Sequence, residues 1–135
     1  MSRVSCLAGV IGSISWYSVQ KALDRIKLQQ IAMGYFQQTQ DSKTFKWSYI
    51  RDISLALSVE VSEFLQELPW KPWSHNEDAS YDEIKAAKEI CDIIVFALVL
   101  WITLDPKADI DEMMESTFKK VEDRIKDLNY GFNRT

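Results

Sequence analysis

Apolar residues recur every three or four positions along four stretches of the chain, a spacing that predicts helices. The first stretch runs from about Ser15 to Gln38, with Trp16, Val19, Leu23, Ile26, Ile31 and Phe36 on one stripe. The polar run "QQTQDSKT" (37–44) is expected to break it. The second runs from about Lys46 to Leu68, with Ile50, Ile53, Leu57, Val61, Phe64 and Leu68 expected to face inward. Pro69 and Pro72 end it, because proline lacks the amide hydrogen that a helix uses. After the loop "PWKPWSHNEDA", Ser80 and Glu83 have the spacing of a capping box and predict the start of a third helix. That helix is expected to end at Leu104, before Asp105-Pro106. The fourth covers about Ile110 to Leu128 and carries many charges of both signs. No segment alternates as a strand does. The expected fold is all-α, a four-helix-bundle-type domain over residues 15–135.

Two apolar stretches bear on membranes. "VSCLAGVIGSISWY", after Met-Ser-Arg, has the look of a short signal peptide, but it lacks a clear small-residue cleavage site and runs into the first helical pattern. Residues 1–14 are expected to be a poorly ordered leader. "ICDIIVFALVLWITL" (90–104) contains Asp92 and falls short of the roughly 20 apolar residues of a membrane span. A buried helix is expected there, and no membrane partner.

Composition narrows the field further. The chain has 135 residues, enough for one core. Its net charge of −4 lacks the electrostatic footprint of a nucleic-acid-binding protein. Only two cysteines are present, Cys6 and Cys91, without metal-type spacing. A reducing, cytoplasmic location is the expectation.

The candidate chemistry lies in carboxylates. On helix two, Glu60, Glu63 and Glu67 fall within about 60° of one another around the axis. On helix three, Glu89 and Asp92 form a second pair, and the apolar neighbours of Asp92 predict that it is partly buried. A buried carboxylate needs a cation or a positive partner. Two such pairs closing on one another would make an oxygen-only site, suited to Mg²⁺ or Mn²⁺ rather than Zn²⁺. A di-iron bundle site requires Glu-x-x-His pairs. The lone histidine, His75, sits in a loop, so that reading fails. There is no nucleophile–base set and no glycine-rich phosphate loop. A hard metal held by carboxylates binds substrate phosphates and can activate water, which points to hydrolysis of a nucleotide polyphosphate.

These residues resemble a known family. Glu60-x-x-Glu63, then 25 residues, then Glu89-x-x-Asp92 is similar to the all-α nucleoside triphosphate pyrophosphohydrolases, which include MazG, the dCTP pyrophosphatases and the dimeric dUTPases. "RDISLALSVEVSEFLQELPWK" (51–71) resembles the dCTP pyrophosphatases. "WKPW" (70–73) and "EICDIIVFAL" (89–98) are similar to the dimeric dUTPases, and "KLQQ" (27–30) resembles a segment whose glutamine touches the base. The likeness is good over about residues 20–104 and thinner elsewhere. It implies Mg²⁺ bound by Glu60, Glu63, Glu89 and Asp92, with Glu60 or Glu63 orienting or deprotonating the attacking water. Glu67 is either an outer base or an exposed glutamate.

Gln30, Trp47, Trp70, Lys71 and Trp73 would then contact the nucleotide, with Phe96 a further candidate for the base pocket. Phosphate contacts are expected among Lys119, Lys120, Arg124 and Lys126. The implied activity converts a nucleoside triphosphate, with dCTP or dUTP favoured over dGTP, to the monophosphate and pyrophosphate. The implied assembly is a homodimer or homotetramer. The alternative is a helical oligomerisation or regulatory module without turnover, against which the presence of all four carboxylates argues.

Overall fold

A computed structural model describes residues 18–69 and 81–132, with side chains to residue 128. It contains five helices: α1 (Val19–Ala32), α2 (Tyr35–Asp41), α3 (Lys43–Gln66), α4 (Glu83–Leu104) and α5 (Ile110–Phe132). No strand occurs among the described residues, so the chain is all-α as its periodicity predicts. The described residues form two compact units, one spanning Leu23–Asp109 and the other containing α5 with residues 18–22. The expected leader, the Trp70–Trp73 segment and His75 lie outside the described residues.

The first helical stretch breaks where the pattern does not announce it. Gly34 takes φ 80°, a left-handed conformation that separates α1 from α2. A Cβ there would meet only Gln38 Nε2 at 4.0 Å, so backbone conformation rather than space calls for glycine. The polar run expected to break the helix does so at Ser42, while its first residues stay helical to Asp41. Glutamine tolerates a helix well, and Thr39 donates its hydroxyl to the Phe36 carbonyl at 2.8 Å. The actual joint is the single residue Ser42, extended at φ −131°, whose hydroxyl accepts from Phe45 N at 3.1 Å. This cap starts α3 three residues before the expected Lys46.

The third predicted helix also starts elsewhere. Its cap is Asp82, not Ser80: Asp82 Oδ1 accepts from the amides of Ile84 and Lys85, both at 3.0 Å. A carboxylate at this position also complements the helix dipole. The far end lies at Leu104, as expected. Asp105 turns left-handed (φ 53°, ψ 55°) there, and Lys46 Nζ donates to the Leu104 carbonyl at 3.3 Å.

Within the Leu23–Asp109 unit, α3 packs along α4, and α2 packs against α3. The two long helices are antiparallel: Lys46 meets Leu104 at one end and Glu67 meets Lys85 at the other. The core consists of Leu23 and Ile26 of α1 with Ala86, Leu98, Val99 and Ile102 of α4. Each large side chain buried here contributes about 2 kcal/mol.

Ile50, Ile53, Leu57 and Phe64 of α3 and Leu68 just past it are half-buried. Val61, expected inside, is exposed. The first half of the apolar stretch on α4 is likewise open, with Ile90, Ile94 and Val95 exposed, so the expected burial holds only from Leu98 onward. No helix among the described residues is long and apolar enough to cross a membrane.

In the second unit, α5 carries Met114, Phe118, Val121, Ile125 and Leu128 on one stripe, all exposed.

Candidate metal centre on the α3–α4 seam

The antiparallel register decides which carboxylates meet. Helix α3 presents Glu60 and Glu63 one turn apart, and α4 presents Glu89 across from them. One oxygen from each of these three residues lies within 4.8 Å of the other two. Glu60 and Glu89 are half-buried and Glu63 is exposed. Three like charges at this spacing repel strongly unless a proton or a cation intervenes.

The titration of Glu60 shows that strain. Its carboxyl is held above the ordinary carboxylate range, first by lost hydration, then by the charges of Glu63, Asp92 and Glu89, and finally by a hydrogen bond with Glu89. A hydrogen bond between two carboxyl groups needs a proton on one of them.

Asp92 departs from its expected place. It is exposed rather than partly buried, since Ile90 and Ile94 beside it are open too. Its charge is nevertheless felt at Glu60, so it borders the trio. The inference of a cation from burial of Asp92 therefore fails, and the close approach of Glu60, Glu63 and Glu89 takes its place.

A family description matches this chain over residues 15–130, and that family is dUTPase. The chain belongs to the dUTPase family. The match runs through α5, beyond the residues where motif likeness is good. No curated protein and no solved structure matches this dUTPase-family chain.

The other expected site residues of the dUTPase-family chain are spread more widely. Gln30 is buried, and its Oε1 accepts from the Tyr49 hydroxyl at 2.6 Å. Tyr49 stacks on Tyr35 at 5.2 Å and lies 5.9 Å from Phe45. Burial pushes the Tyr49 phenol up, and the charge of Tyr35 adds to this, while the bond to Gln30 opposes both. Eleven residues of α3, a rise of about 16 Å, separate Tyr49 from Glu60. Trp47 is 56% exposed. It lies about 20 Å along the helix from Glu60 and about 140° around its axis. Neither Gln30 nor Trp47 is thus brought to the carboxylates within one α3–α4 pair.

Phe96 is half-buried and one turn beyond Asp92 on the same face of α4. Trp70, Lys71 and Trp73 lie outside the described residues. Lys119, Lys120 and Arg124 are exposed on α5, in the other unit. Lys126 pairs with Asp123 at 4.0 Å.

Glu63 also borders an open groove of about 350 Å³ lined by Leu55, Ser58, Val59, Ser62 and Gln66. Its serines turn inward on their own helix: Ser58 donates to the Ser54 carbonyl at 3.0 Å and Ser62 to the Ser58 carbonyl at 3.1 Å.

Motif reasoning missed one polar contact beside the trio. Lys85 Nζ lies 3.4 Å from Glu67 Oε1, one turn beyond Glu63 on α3 and one turn before Glu89 on α4. The signal for it was available: Lys85 and Glu89 are four residues apart on one helix face.

Proposed function

We propose that this chain is a Mg²⁺-dependent nucleoside triphosphate pyrophosphohydrolase acting on a pyrimidine deoxynucleotide, dUTP or dCTP, to give the monophosphate and pyrophosphate. The observation that carries this reading is the convergence of Glu60, Glu63 and Glu89 on one seam, in a chain of the dUTPase family.

The donor set fits the metal. It offers only carboxylate oxygens, with no sulfur or imidazole, which is the preference of a hard cation. Glu60, Glu63 and Glu89 would hold it, with Asp92 at the border. When bound, Mg²⁺ supplies charge neutralisation at phosphoryl oxygens and a more acidic water. The chain's own contribution is positioning and proton handling. Glu60, on the seam beside Glu63, would accept a proton from the attacking water. Glu63, a turn away, would orient the same water. Phe96, on the face of Asp92, together with Trp70 and Trp73, would wall the base. Lys71 would face phosphate.

Oligomerisation belongs to the same proposal. Leu55, Val59, Ile90, Ile94 and Val95 are exposed on α3 and α4, which suits a homodimer or homotetramer built over them. Light scattering at micromolar concentration that finds only a 15.7 kDa species would refute it.

The test of activity is incubation with dUTP, dCTP, dGTP and dATP, each with Mg²⁺, followed by separate assays for pyrophosphate and phosphate. Pyrophosphate release with the highest kcat/KM for a pyrimidine nucleotide is expected. Absence of pyrophosphate from all four would overturn the enzyme reading, and a clear lead for dGTP would overturn the base preference alone.

A further inference from the structure

The carboxylate trio leaves a problem of charge that the metal alone does not solve. Four carboxylates and a polyphosphate together carry more negative charge than one or two divalent ions neutralise, so cationic side chains must face the phosphates. On the α3–α4 pair, Lys85 stands where such a group is needed. It lies within about 40° of Glu89 and Asp92 around the α4 axis, and about 6 Å along that axis from Glu89. Its flexible four-carbon stem spans such a distance.

The present partner of Lys85 is weak. The Lys85 and Glu67 side chains are 63% and 25% exposed and 3.4 Å apart. Exposed pairs of this kind stabilise a fold little, and exchanging the partner costs little. Lys85 is therefore stored beside the site rather than committed to a structural bond.

We propose that Lys85 is a substrate-binding residue, and that its ammonium group moves from Glu67 to the terminal phosphates of the bound nucleotide. Glu67 then acts as its resting partner, neither a metal ligand nor a base. This inference rests on the triphosphate reading of the same site. It adds a cation that the motif did not single out.

The test compares Lys85→Ala, Lys85→Arg and Glu67→Gln with the parent chain, with Lys107→Ala as a control on an exposed lysine elsewhere. Loss of one charge-assisted phosphate contact is expected to raise KM for the nucleotide about tenfold, with kcat changed less than about threefold. Lys85→Arg should restore most of the loss. Glu67→Gln frees the ammonium group and should leave KM equal or lower. If Lys85→Ala and Glu67→Gln raise KM by the same factor, or lower the melting temperature together, the pair is structural and the proposal fails. An unchanged KM in Lys85→Ala also overturns it.

Should the parent chain hydrolyse no nucleotide, the hydrolase reading falls separately. Titration of Mg²⁺-pyrophosphate into parent and Lys85→Ala then decides the matter. Weaker binding by the variant supports Lys85 as the phosphate contact, and equal or absent binding rejects it.

Discussion

The two ends of the α3–α4 pair treat polar groups in opposite ways. Toward Leu104, Gln30, Thr39 and Thr103 are buried. Gln30 accepts from Tyr49, Thr39 donates to Phe36, and Thr103 donates to the Val99 carbonyl at 2.8 Å. Toward Lys85, one oxygen from each of Glu60, Glu63 and Glu89 lies within 4.8 Å of the other two. Among the described residues, Glu67, one turn further, pairs with Lys85. One end satisfies its polar atoms and holds the fold. The other concentrates like charges, whose repulsion a bound cation would relieve.

The most severe way to break this contrast is to neutralise the charged end. Glu63→Gln and Asp92→Asn are each expected to lower kcat/KM by about 100-fold or more, since even outer partners of a metal cost 10- to 100-fold. Their melting temperatures in EDTA should hold or rise, because repulsion is relieved. A large fall in both melts would mean that the carboxylates are structural.

Truncation at the other end attacks the fold instead. Leu98→Ala is expected to cost about 2–4 kcal/mol by leaving a cavity. Denaturant titration measures it, and a loss below about 0.5 kcal/mol would show that the Leu98 region is not the core.

A finer probe is Tyr49→Phe, which removes the donor to Gln30 and should cost about 1 kcal/mol. An unchanged unfolding midpoint would mean that water replaces the hydroxyl freely.

The smallest expected effect is a pH dependence. Glu60 binds its proton more tightly in the folded chain than in the unfolded one. Its stabilising contribution is full below the unfolded pKa and is lost as pH rises through the raised folded value. In EDTA, stability should therefore fall across the upper carboxylate range in the parent more than in Glu60→Gln, and parallel curves would count against this origin. Added Mg²⁺ should reduce the slope across that range.

Much of this was legible in the sequence because the signals were periodic or spaced. The stripes of α3 and α4, the stop at Asp105 and the two carboxylate pairs all follow from helical geometry. What escaped depended on backbone conformation or on distant partners. Gly34 breaks α1 from α2 through a single positive φ, which no hydrophobic pattern encodes. The helix start at Asp82 escaped the capping-box spacing because here one carboxylate oxygen serves two amides. The burial of Asp92 was inferred from its neighbours on the chain, whereas exposure is set by what packs across the helix. The bond between Gln30 and Tyr49 joins residues from two helices whose pairing only tertiary structure fixes.

The register of α3 against α4 also has a kinetic side. The two helices follow one another in the chain, so the seam is expected to close before more distant contacts during folding. Closing it draws Glu60, Glu63 and Glu89 together, and their repulsion grows as the helices zip. The carboxylates are thus expected to act as a brake on this step of folding. A divalent cation present at that moment releases the brake, so refolding in Mg²⁺ should outpace refolding in EDTA. The acceleration should be smaller in Glu60→Gln, whose seam closes with one negative charge fewer.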